Sequence, residues 1–337
     1  HRHLGCGLGV GLPPARIDGK TRLMSDLRKS YLFHIGIIGL LVVLYFTLPA
    51  YHAGNLARIL VLAVYAMGYN LLFGYTGLLS LGHALFFAAG MYGFGMSVSH
   101  LGVPTSLALM ISVVFTALVA VAVGFLALRT KEVAFMIVTL MFAQAGYLTI
   151  LYFGASTRGD EGFVLTQIQR TLLGLDLTQE ATKFWAALIL FAASFLGTTA
   201  LVKSRLGRAL IAIRENEERA RMLGYDTWRL KLIAVILSCT LSGVAGAAYA
   251  LLFGYVGATF ATVQYSILPL VWVLLGGAGT TIGPLIGVVF LFYLIEWSSN
   301  VTDAYMLIAG VVLVLLTLFA PKGLGGELRK RGLKWLP

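Results

Sequence analysis

Charged residues are scarce in this sequence. Lysine, arginine, aspartate and glutamate together make up 12% of its 337 residues, against about 25% in an ordinary soluble domain. Hydrophobic residues make up 59%, and the mean hydropathy is +0.88. Several apolar windows are long enough to match a hydrocarbon core of about 30 Å, which takes roughly 20 helical residues to cross. The composition therefore excludes a soluble globular domain and predicts an all-α, polytopic transmembrane helical bundle.

Cysteine is nearly absent as well. The two cysteines, Cys6 and Cys239, are far apart in the sequence, so there is no disulfide framework and no zinc-binding spacing. The apolar segments also lack a carboxylate pair, a histidine cluster, a Ser/His/Asp set and the HExxH motif, which argues against an intramembrane enzyme and a metal site. The net charge of +11 is expected to come from basic cytoplasmic loops rather than from nucleic-acid binding.

A nucleotide-binding loop is missing too. Gly19-Lys20-Thr21 resembles the end of a phosphate-binding P-loop, but Pro14 stands where its first glycine would be, and no strand is predicted before it. Residues 1–23 contain no apolar run of signal-peptide length, and the sequence that begins at Met24 resembles a natural translation start before the first span. We therefore expect residues 1–23 to be a disordered upstream segment. We also expect the chain itself to bind no nucleotide and no other cofactor.

Loop charge sets the predicted orientation of the spans. The segment 203–231 carries eight lysines and arginines, and 24–30, 129–131 and the tail are also basic, so the positive-inside rule places all four in the cytoplasm. The stretch 264–297 is too long for one ordinary span and is interrupted by glycines and a proline at 276–284. If it crosses twice, both termini are cytoplasmic and there are ten spans, within a range of eight to ten. The predicted apolar segments are 31–49, 55–76, 80–99, 105–128, 133–153, 182–202, 231–257, 264–297 and 303–320.

Polar residues inside the spans, together with the glycine-rich interruption, are candidates for a translocation path near the membrane midplane. Burying polar groups in lipid is costly, and broken helices are tolerated at membrane depth only where protein covers them or a cavity adjoins them. For Asn70 and Gln144 we favour a hydrogen bond to a neighbouring helix over contact with a substrate. For His83 we favour a packing role over a proton relay. Glu296 lies near a span end, where it can reach water. The candidate path residues are Asn70, Ser80, His83, Thr139, Gln144, Gly276, Gly277 and Gly279.

The most distinctive polar segment is the predicted cytoplasmic loop 203–230. Apolar residues at helical spacing are followed by the charged run 214–221, so a short amphipathic helix is predicted there. Gly224 is placed to end this helix, and either Asp226 or Thr227 to cap the helix that enters the next span. We interpret the segment as a docking element rather than a solvated connector. The apolar positions are Leu206, Leu210 and Ile213.

Several of these segments resemble the permease subunits of branched-chain amino acid ABC importers, of the LivM type. In the basic loop, Glu218, Ala220 and Gly224 match the E-A-A-x-x-x-G spacing of the ABC permease coupling loop, although Arg219 replaces the middle alanine. The likeness extends from about Leu32 to Leu328. Five further stretches resemble the family in its order: Gly77-Leu-Leu-Ser-Leu-Gly-His-Ala-Leu-Phe-Phe, Thr139-Leu-Met-Phe-Ala-Gln, Thr157-Arg-Gly-Asp-Glu-Gly, Leu275-Gly-Gly-Ala-Gly-Thr and Phe319-Ala-Pro-Lys-Gly-Leu.

The resemblance implies a division of labour among subunits. The cytoplasmic coupling helix would sit in a groove of an ATPase subunit and transmit its closure to the spans, with ATP and Mg²⁺ bound by that partner. A second homologous permease, two ATPase subunits and a periplasmic substrate-binding protein would complete the assembly in the bacterial cytoplasmic membrane. The coupling residues implied are Gly207, Arg208, Arg214, Glu215, Glu218, Ala220 and Gly224.

The substrate implied is a branched-chain or related amino acid, and two alternatives stay open. One is a permease for urea or short-chain amides, whose membrane subunits look similar. The other is an ion-coupled secondary transporter or channel, which would need membrane carboxylates or ion ligands in pairs. In either case we expect one permease domain, 24–328, with an outer loop at 154–182 and a basic tail at 329–337.

Overall fold

Helices dominate the architecture. A computed structural model of the chain describes residues 15–302, 304–319 and 323–331. Within this part the helices are α1 (Ala15–Thr47), α2 (Ala50–Thr76), α3 (His83–Ser99), α4 (Thr105–Ala127), α5 (Glu132–Tyr152), α6 (Gly154–Thr157), α7 (Glu180–Lys203), α8 (Arg205–Glu215), α9 (Glu217–Met222), α10 (Thr227–Phe253), α11 (Val263–Gly276), α12 (Gly283–Ser299), α13 (Tyr305–Phe319) and α14 (Gly323–Arg331). Short strands β1 (Phe163–Val164), β2 (Thr171–Leu172), β3 (Leu175–Asp176) and β4 (Tyr255–Val256) form two antiparallel pairs, β1 with β4 and β2 with β3.

Among the described residues, five helices are long and apolar enough to cross a membrane, which confirms the predicted membrane bundle. The five apolar segments are Tyr51–Thr76, Thr105–Ala127, Glu132–Tyr152, Glu180–Lys203 and Thr227–Phe253. Shorter apolar helices accompany them at Tyr31–Thr47, Val263–Gly276 and Gly283–Ser299. Each predicted apolar run contains a helix, the run 264–297 contains two, and most ends differ from the prediction by a few residues.

The two ends of the chain differ most from the prediction. Helix α1 extends back to Ala15, so 15–23 is helical although 1–23 was predicted to be disordered. No proline follows Pro14 in this segment, and its alanine, leucine, lysine and arginine residues favour a helix. Helix α14 continues into the predicted tail, 329–337, as far as Arg331. Residues 1–14 and 332–337 lie outside the described residues.

The predicted interruption of the glycine-rich segment is present. Helix α11 ends at Gly276, and α12 begins at Gly283 with Pro284 in its first turn, where a missing backbone N–H does no harm. The two helices approach each other very closely. A Cβ atom added to Gly276 would lie 1.8 Å from the Gly283 carbonyl oxygen, and one added to Gly287 equally close to that of Trp272. Glycine is therefore required for this backbone contact.

Helix α2 lies at the centre of the bundle. Of the apolar window in α2, 89% is buried inside the protein, against 17% for α5. Helix α2 packs against α7, α10, α11 and α12. Small residues permit this packing, since a Cβ atom on Gly68 would lie 2.7 Å from the Ser242 hydroxyl oxygen of α10. Helices α3 and α10 approach more closely still, since a Cβ atom on Gly90 would lie 1.9 Å from the Gly243 carbonyl oxygen.

Two sets of contacts distinguish the ends of the bundle. At the end that we call the strand end, β1 pairs with β4, which joins the α6–α7 connection to the α10–α11 connection. The opposite end, the turn end, contains α8, the α2–α3 connection at 77–82, and the α11–α12 connection at 277–282. We call this last connection the glycine turn. It lies against α8 and the end of α2, because Gly279 is close to Arg214 of α8 and to Gly74 of α2.

Candidate functional site

The glycine turn has a backbone that only glycine adopts readily. Gly277 has a φ of 109° and Gly279 a φ of 76°, both in the left-handed region. The Thr280 hydroxyl donates to the Gly277 carbonyl over 2.8 Å and accepts from the Gly283 N–H over 3.1 Å. That second bond satisfies a free N–H at the start of α12. The turn is therefore a defined structure that holds two antiparallel helices together.

Asn70, in the last third of α2, binds the glycine turn through both ends of its side-chain amide. Its Nδ2 donates to the Thr280 carbonyl, and its Oδ1 accepts from the Gly279 N–H, each over 2.9 Å. The side chain is buried, with 3% of Asn70 exposed. A buried amide is costly unless it is hydrogen-bonded, and here the turn's own backbone supplies the partners. Asn70 thus fixes the glycine turn against the central helix.

Arg214 extends from α8 to the same place. Its guanidinium donates to the Gly74 carbonyl, near the C-terminal end of α2. A Cβ atom on Gly279 would lie 2.7 Å from Arg214 Nη1, and one on Gly77 would lie 3.1 Å from Arg214 Cγ. A cation at a helix C-terminus is favourable, because the last carbonyls lack helical partners and carry partial negative charge. Arg214 therefore connects α8 with both the central helix and the glycine turn.

Two further elements that the sequence interpretation missed also contact the glycine turn. His34 of α1 is buried, and its Nε2 lies 2.9 Å from the Thr281 hydroxyl oxygen. In α14, Gly323 and Gly325 pack so closely that Cβ atoms there would lie about 2.5 Å from Gly277 and Gly276 backbone atoms. A histidine inside the first apolar run was the available sign of the first contact. The second was marked by the paired glycines after the last predicted span.

The α2–α3 connection forms a neighbouring polar cluster. The Thr139 hydroxyl, on α5, accepts from the Leu81 N–H over 3.2 Å and donates to the Met136 carbonyl over 2.9 Å. The Ser80 hydroxyl accepts from the Gly82 N–H over 3.2 Å. A Cβ atom on Gly82 would lie 2.4 Å from the Thr139 carbonyl oxygen. The connection is therefore held closely against α5 by backbone contacts.

His83 joins α3 to α10. Its Nε2 lies 3.0 Å from the Ser238 hydroxyl oxygen, and that hydroxyl donates to the Gly68 carbonyl over 2.5 Å. Because the hydroxyl has one proton to give, it accepts from the histidine, which assigns the proton to Nε2. Nδ1 is buried and has no hydrogen-bond partner within the described part of the chain. A role in transport stays a prediction.

The candidate path residues thus fall into two neighbouring groups and one outlier. Asn70 and the glycines of the turn meet Arg214, whereas Ser80, His83 and Thr139 surround the α2–α3 connection. Gln144 is half-buried on α5 and belongs to neither hydrogen-bonded group. Among the described residues, no cluster of three or more His, Cys, Asp or Glu side chains could hold a metal ion.

Helix α8 is amphipathic, as predicted. The Ser204 hydroxyl caps it by accepting from the Gly207 N–H over 3.3 Å. Leu210 and Ile213 are buried, and Leu210 packs with Leu72 of α2. Gly207 has no room for a side chain, since a Cβ atom would lie 2.3 Å from a carbonyl oxygen of the preceding turn. The apolar face of α8 is therefore fixed against the bundle.

The single helix that was predicted to continue through the charged run to Gly224 is instead two helices. The chain is extended at Asn216, whose φ is −162°, and the Asn216 side chain caps α9 by accepting from the Arg219 N–H over 2.8 Å. Gly224 follows α9 with a φ of 89°, and Asp226 caps α10, as predicted. Asparagine followed by two glutamates is a helix-start pattern that explains the break. Of the implied coupling residues, Gly207 and Ala220 are buried, whereas Arg208, Arg214, Glu215, Glu218 and Gly224 are exposed.

Helix α9 is fastened to α10 by an ion pair. The Glu217 carboxylate contacts Lys231 of α10 and also Arg221, one helical turn further along α9. Partial burial by itself would raise the pKa of Glu217, but the hydrogen bond and charge of Lys231, together with Thr227 and Arg221, outweigh it and lower this pKa below its usual value. Beyond this pair, α9 presents an exposed apolar end, with 84% of Met222 and 71% of Leu223 accessible.

The helices, the glycine turn and the exposed α8–α9 segment define a polytopic helical membrane protein. The profile described as "Branched-chain amino acid transport system / permease component" matches residues 52–320. The chain belongs to that family, since the match covers well over half of its length.

Curated relatives agree with the family profile. The chain is 28% identical over 332 residues to the high-affinity branched-chain amino acid transport system permease protein LivM of Escherichia coli, covering 91% of this chain and 76% of that protein. It is 23% identical over 286 residues to the corresponding permease protein LivH of Salmonella typhimurium, covering 79% of this chain and 91% of the relative. No solved structure matches the chain significantly.

Proposed function

We propose that this chain is one permease subunit of an ATP-driven importer that moves branched-chain amino acids across the cytoplasmic membrane of a bacterium. The names of its relatives support this substrate class, because they describe high-affinity branched-chain amino acid transport systems. A second, homologous permease subunit is its partner in this proposal. LivM-type and LivH-type permeases both match the chain, as expected for a pair of related subunits.

The proposed topology has ten crossings, made by α1, α2, α3, α4, α5, α7, α10, α11, α12 and α13. This count places the strand end outside and the turn end in the cytoplasm. Both β1 and β4 then lie on one side, while α8, the 77–82 connection and the glycine turn lie on the other. The basic loops 129–131 and 203–231 are cytoplasmic in this arrangement, as the positive-inside rule requires.

In this proposal the α8–α9 segment docks on the ATPase subunits, which bind ATP and Mg²⁺. The single observation that carries it is the contact of Arg214 with Gly74 and Gly279, because it links an exposed, charged segment to the centre of the bundle. Exposed Glu218, Met222 and Leu223 face the ATPase. ATP-driven closure would move α8 and, through Arg214, the glycine turn.

The residues of the site then have separate roles. Gly207 and Ala220 allow close packing of the docking segment, and Gly224 permits its left-handed end. Arg208 and Glu215 add exposed charge to the docking surface. Asn70, Gly276, Gly277 and Gly279 form the joint that moves, whereas Ser80, His83, Thr139 and Gln144 belong to the adjoining path. A periplasmic binding protein would deliver substrate at the strand end.

The experiment is a charge reversal on the docking surface. The assembled transporter, reconstituted in proteoliposomes, should lose most leucine uptake per ATP hydrolysed when Glu218→Arg is introduced. Glu218 is exposed, so the variant should insert and fold normally. Lys131→Glu, on the α4–α5 connection at the same membrane face, is the matched control and should leave the ratio unchanged. Normal uptake and normal ATPase activity in Glu218→Arg would contradict the docking proposal.

A further inference from the structure

A cleft at the strand end contains two opposite charges that do not meet. It lies between the first half of α2, α11 and the end of α12, and has a volume of about 290 Å³. This is close to the lower limit of about 300 Å³ for ordinary small-molecule sites. The residues that line it include Asn55, Arg58, Leu268, Trp272, Phe292 and Glu296.

The carboxylate of Glu296 has no partner in the protein as described. Its Oε2 atom is buried and accepts no hydrogen bond from any described residue. None of the ion pairs of the described residues includes Glu296 or Arg58. Glu296 is half-buried near the end of a membrane helix, and an unpaired carboxylate oxygen is costly to bury there, so a cationic group beside Glu296 would be favourable.

Arg58 supplies the opposite charge on the same cleft. Its guanidinium lies over the Phe253 ring, with its carbon 5.3 Å from the ring centroid, and the side chain is otherwise exposed. This contact positions the group while leaving its N–H donors available. Guanidinium groups bind carboxylates well, because two parallel N–H donors match two oxygens. The cleft thus offers an anion site and a cation site at separate positions.

Most of the remaining wall is apolar, although Tyr51 and Asn55 also line the cleft. Trp272 is 5% exposed, and Leu268 and Phe292 pack against the main hydrophobic core. A ligand that satisfies the whole cleft therefore has an anionic group, an ammonium group and a short apolar side chain. The cleft is at the strand end, because Phe253 immediately precedes the connection that forms β4.

We propose that this cleft binds a free amino-acid zwitterion, with the carboxylate on Arg58, the ammonium on Glu296, and an aliphatic side chain against Leu268, Trp272 and Phe292. The proposal rests on the proposed function, because it places a substrate-contact site of this permease at the strand end. A phosphatidylethanolamine headgroup carries the same pair of charges, so the test must separate the two ligands.

The test uses the assembled transporter in phosphatidylcholine nanodiscs, without the binding protein, and radiolabelled leucine as the probe. Two competitors each lack one charge: 4-methylpentanoate lacks the ammonium, and 3-methylbutylamine lacks the carboxylate. Glu296→Gln should weaken leucine binding at least tenfold while leaving 4-methylpentanoate unaffected. Arg58→Gln should weaken leucine equally and leave 3-methylbutylamine unaffected. Glu161→Gln, an exposed carboxylate at the strand end, is the control and should change neither.

Three results would overturn the inference. Leucine binding to the wild-type transporter could be absent at millimolar concentration, or it could be equal in wild type and both variants. The third result is that phosphatidylethanolamine co-purifies with wild type but not with Glu296→Gln, and that leucine does not displace this lipid in nanodiscs. Uptake in the presence of the binding protein is measured separately. If wild type imports leucine in any of these cases, the proposed function stands and only the cleft assignment fails.

Discussion

The polar and charged groups at the two ends of the central helix α2 differ in whether the protein supplies their partners. At the turn end of α2, Asn70 and the Gly74 carbonyl both have hydrogen-bond partners from distant parts of the chain. At the strand end, Arg58 and Glu296 share a cleft without an ion pair to each other. A completed network holds neighbouring elements in one arrangement, whereas an uncompensated charge favours any ligand that completes it. The contrast separates a mechanical joint from a binding site.

The difference also predicts how the two ends respond to substitution. Removing one partner from a completed buried network leaves the other unsatisfied, at about 1–3 kcal/mol, and more when a charge is involved. Removing Glu296 leaves no protein partner behind, because its buried oxygen has none among the described residues. Stability should therefore depend on the turn end, and ligand affinity on the strand end.

The largest expected effect comes from Gly276→Val, which would break the turn end altogether. The first side-chain carbon would lie 1.8 Å from the Gly283 carbonyl oxygen, so α11 and α12 would have to separate. Overpacking a core costs roughly 1–3 kcal/mol, and a backbone clash exceeds that range. We expect almost complete loss of monodisperse protein in fluorescence-detected size-exclusion chromatography.

Gly39→Val is the matched control for this substitution. Gly39 also lies inside a helix, α1, but nothing is within 4 Å of a Cβ atom there. This variant should give a wild-type elution profile. A normal profile for Gly276→Val as well would mean that the close α11–α12 contact is not needed.

The next effect in size concerns Arg214→Met, which disconnects α8 from the joint but keeps the length of the side chain. A hydrogen bond from a charged donor is worth about 1.5–3 kcal/mol, so the coupling between ATP hydrolysis and uptake should fall by roughly tenfold or more. Leucine uptake per ATP in proteoliposomes should drop accordingly, while ATP hydrolysis continues. Arg205→Met, exposed on the same helix, should leave the ratio unchanged. An unchanged ratio in Arg214→Met would remove Arg214 from the coupling route.

The sequence predicted the local features of the turn end but not the contacts between them. Apolar runs and glycine spacing predicted the helices and the break between α11 and α12, because each depends on neighbouring residues alone. Asn70 was expected to bond a neighbouring helix, yet its partner at Thr280 is 210 residues away, and no periodicity encodes such a pairing. Arg214 entered only through a family resemblance. The contact of α14 with the turn had no local pattern beyond two glycines.

The break at Asn216 was predictable and was missed. An asparagine before Glu217 and Glu218 is a helix-start pattern, but the alternation of charge around it was interpreted as one continuous helix. The cleft at the strand end lay outside local prediction for another reason. Arg58 and Glu296 are on helices at opposite ends of the sequence, and their shared cavity follows only from how α2, α11 and α12 pack.

The smallest expected effect comes from comparing two carboxylates, one with a partner and one without. Glu217→Gln removes the ion pair with Lys231. Because this ion pair is partly exposed, the loss of stability should stay below about 1 kcal/mol. Glu296→Gln should cause no loss and should raise the melting temperature of the ligand-free protein. Thermal unfolding of both variants in nanodiscs at pH 7 measures the difference.

The pH dependence adds a second readout to the same pair of variants. The Lys231 contact lowers the pKa of Glu217 below its usual value, so the pair stabilises the folded protein above the usual glutamate range. That contribution disappears as the pH falls through the lowered pKa, because the carboxylate then becomes protonated. The melting temperatures of wild type and Glu217→Gln should therefore differ at pH 7 and converge in acid. A constant difference in melting temperature across this pH range would show that the Lys231 contact does not stabilise α9. The presence or absence of an ion pair would then not explain the difference between Glu217 and Glu296.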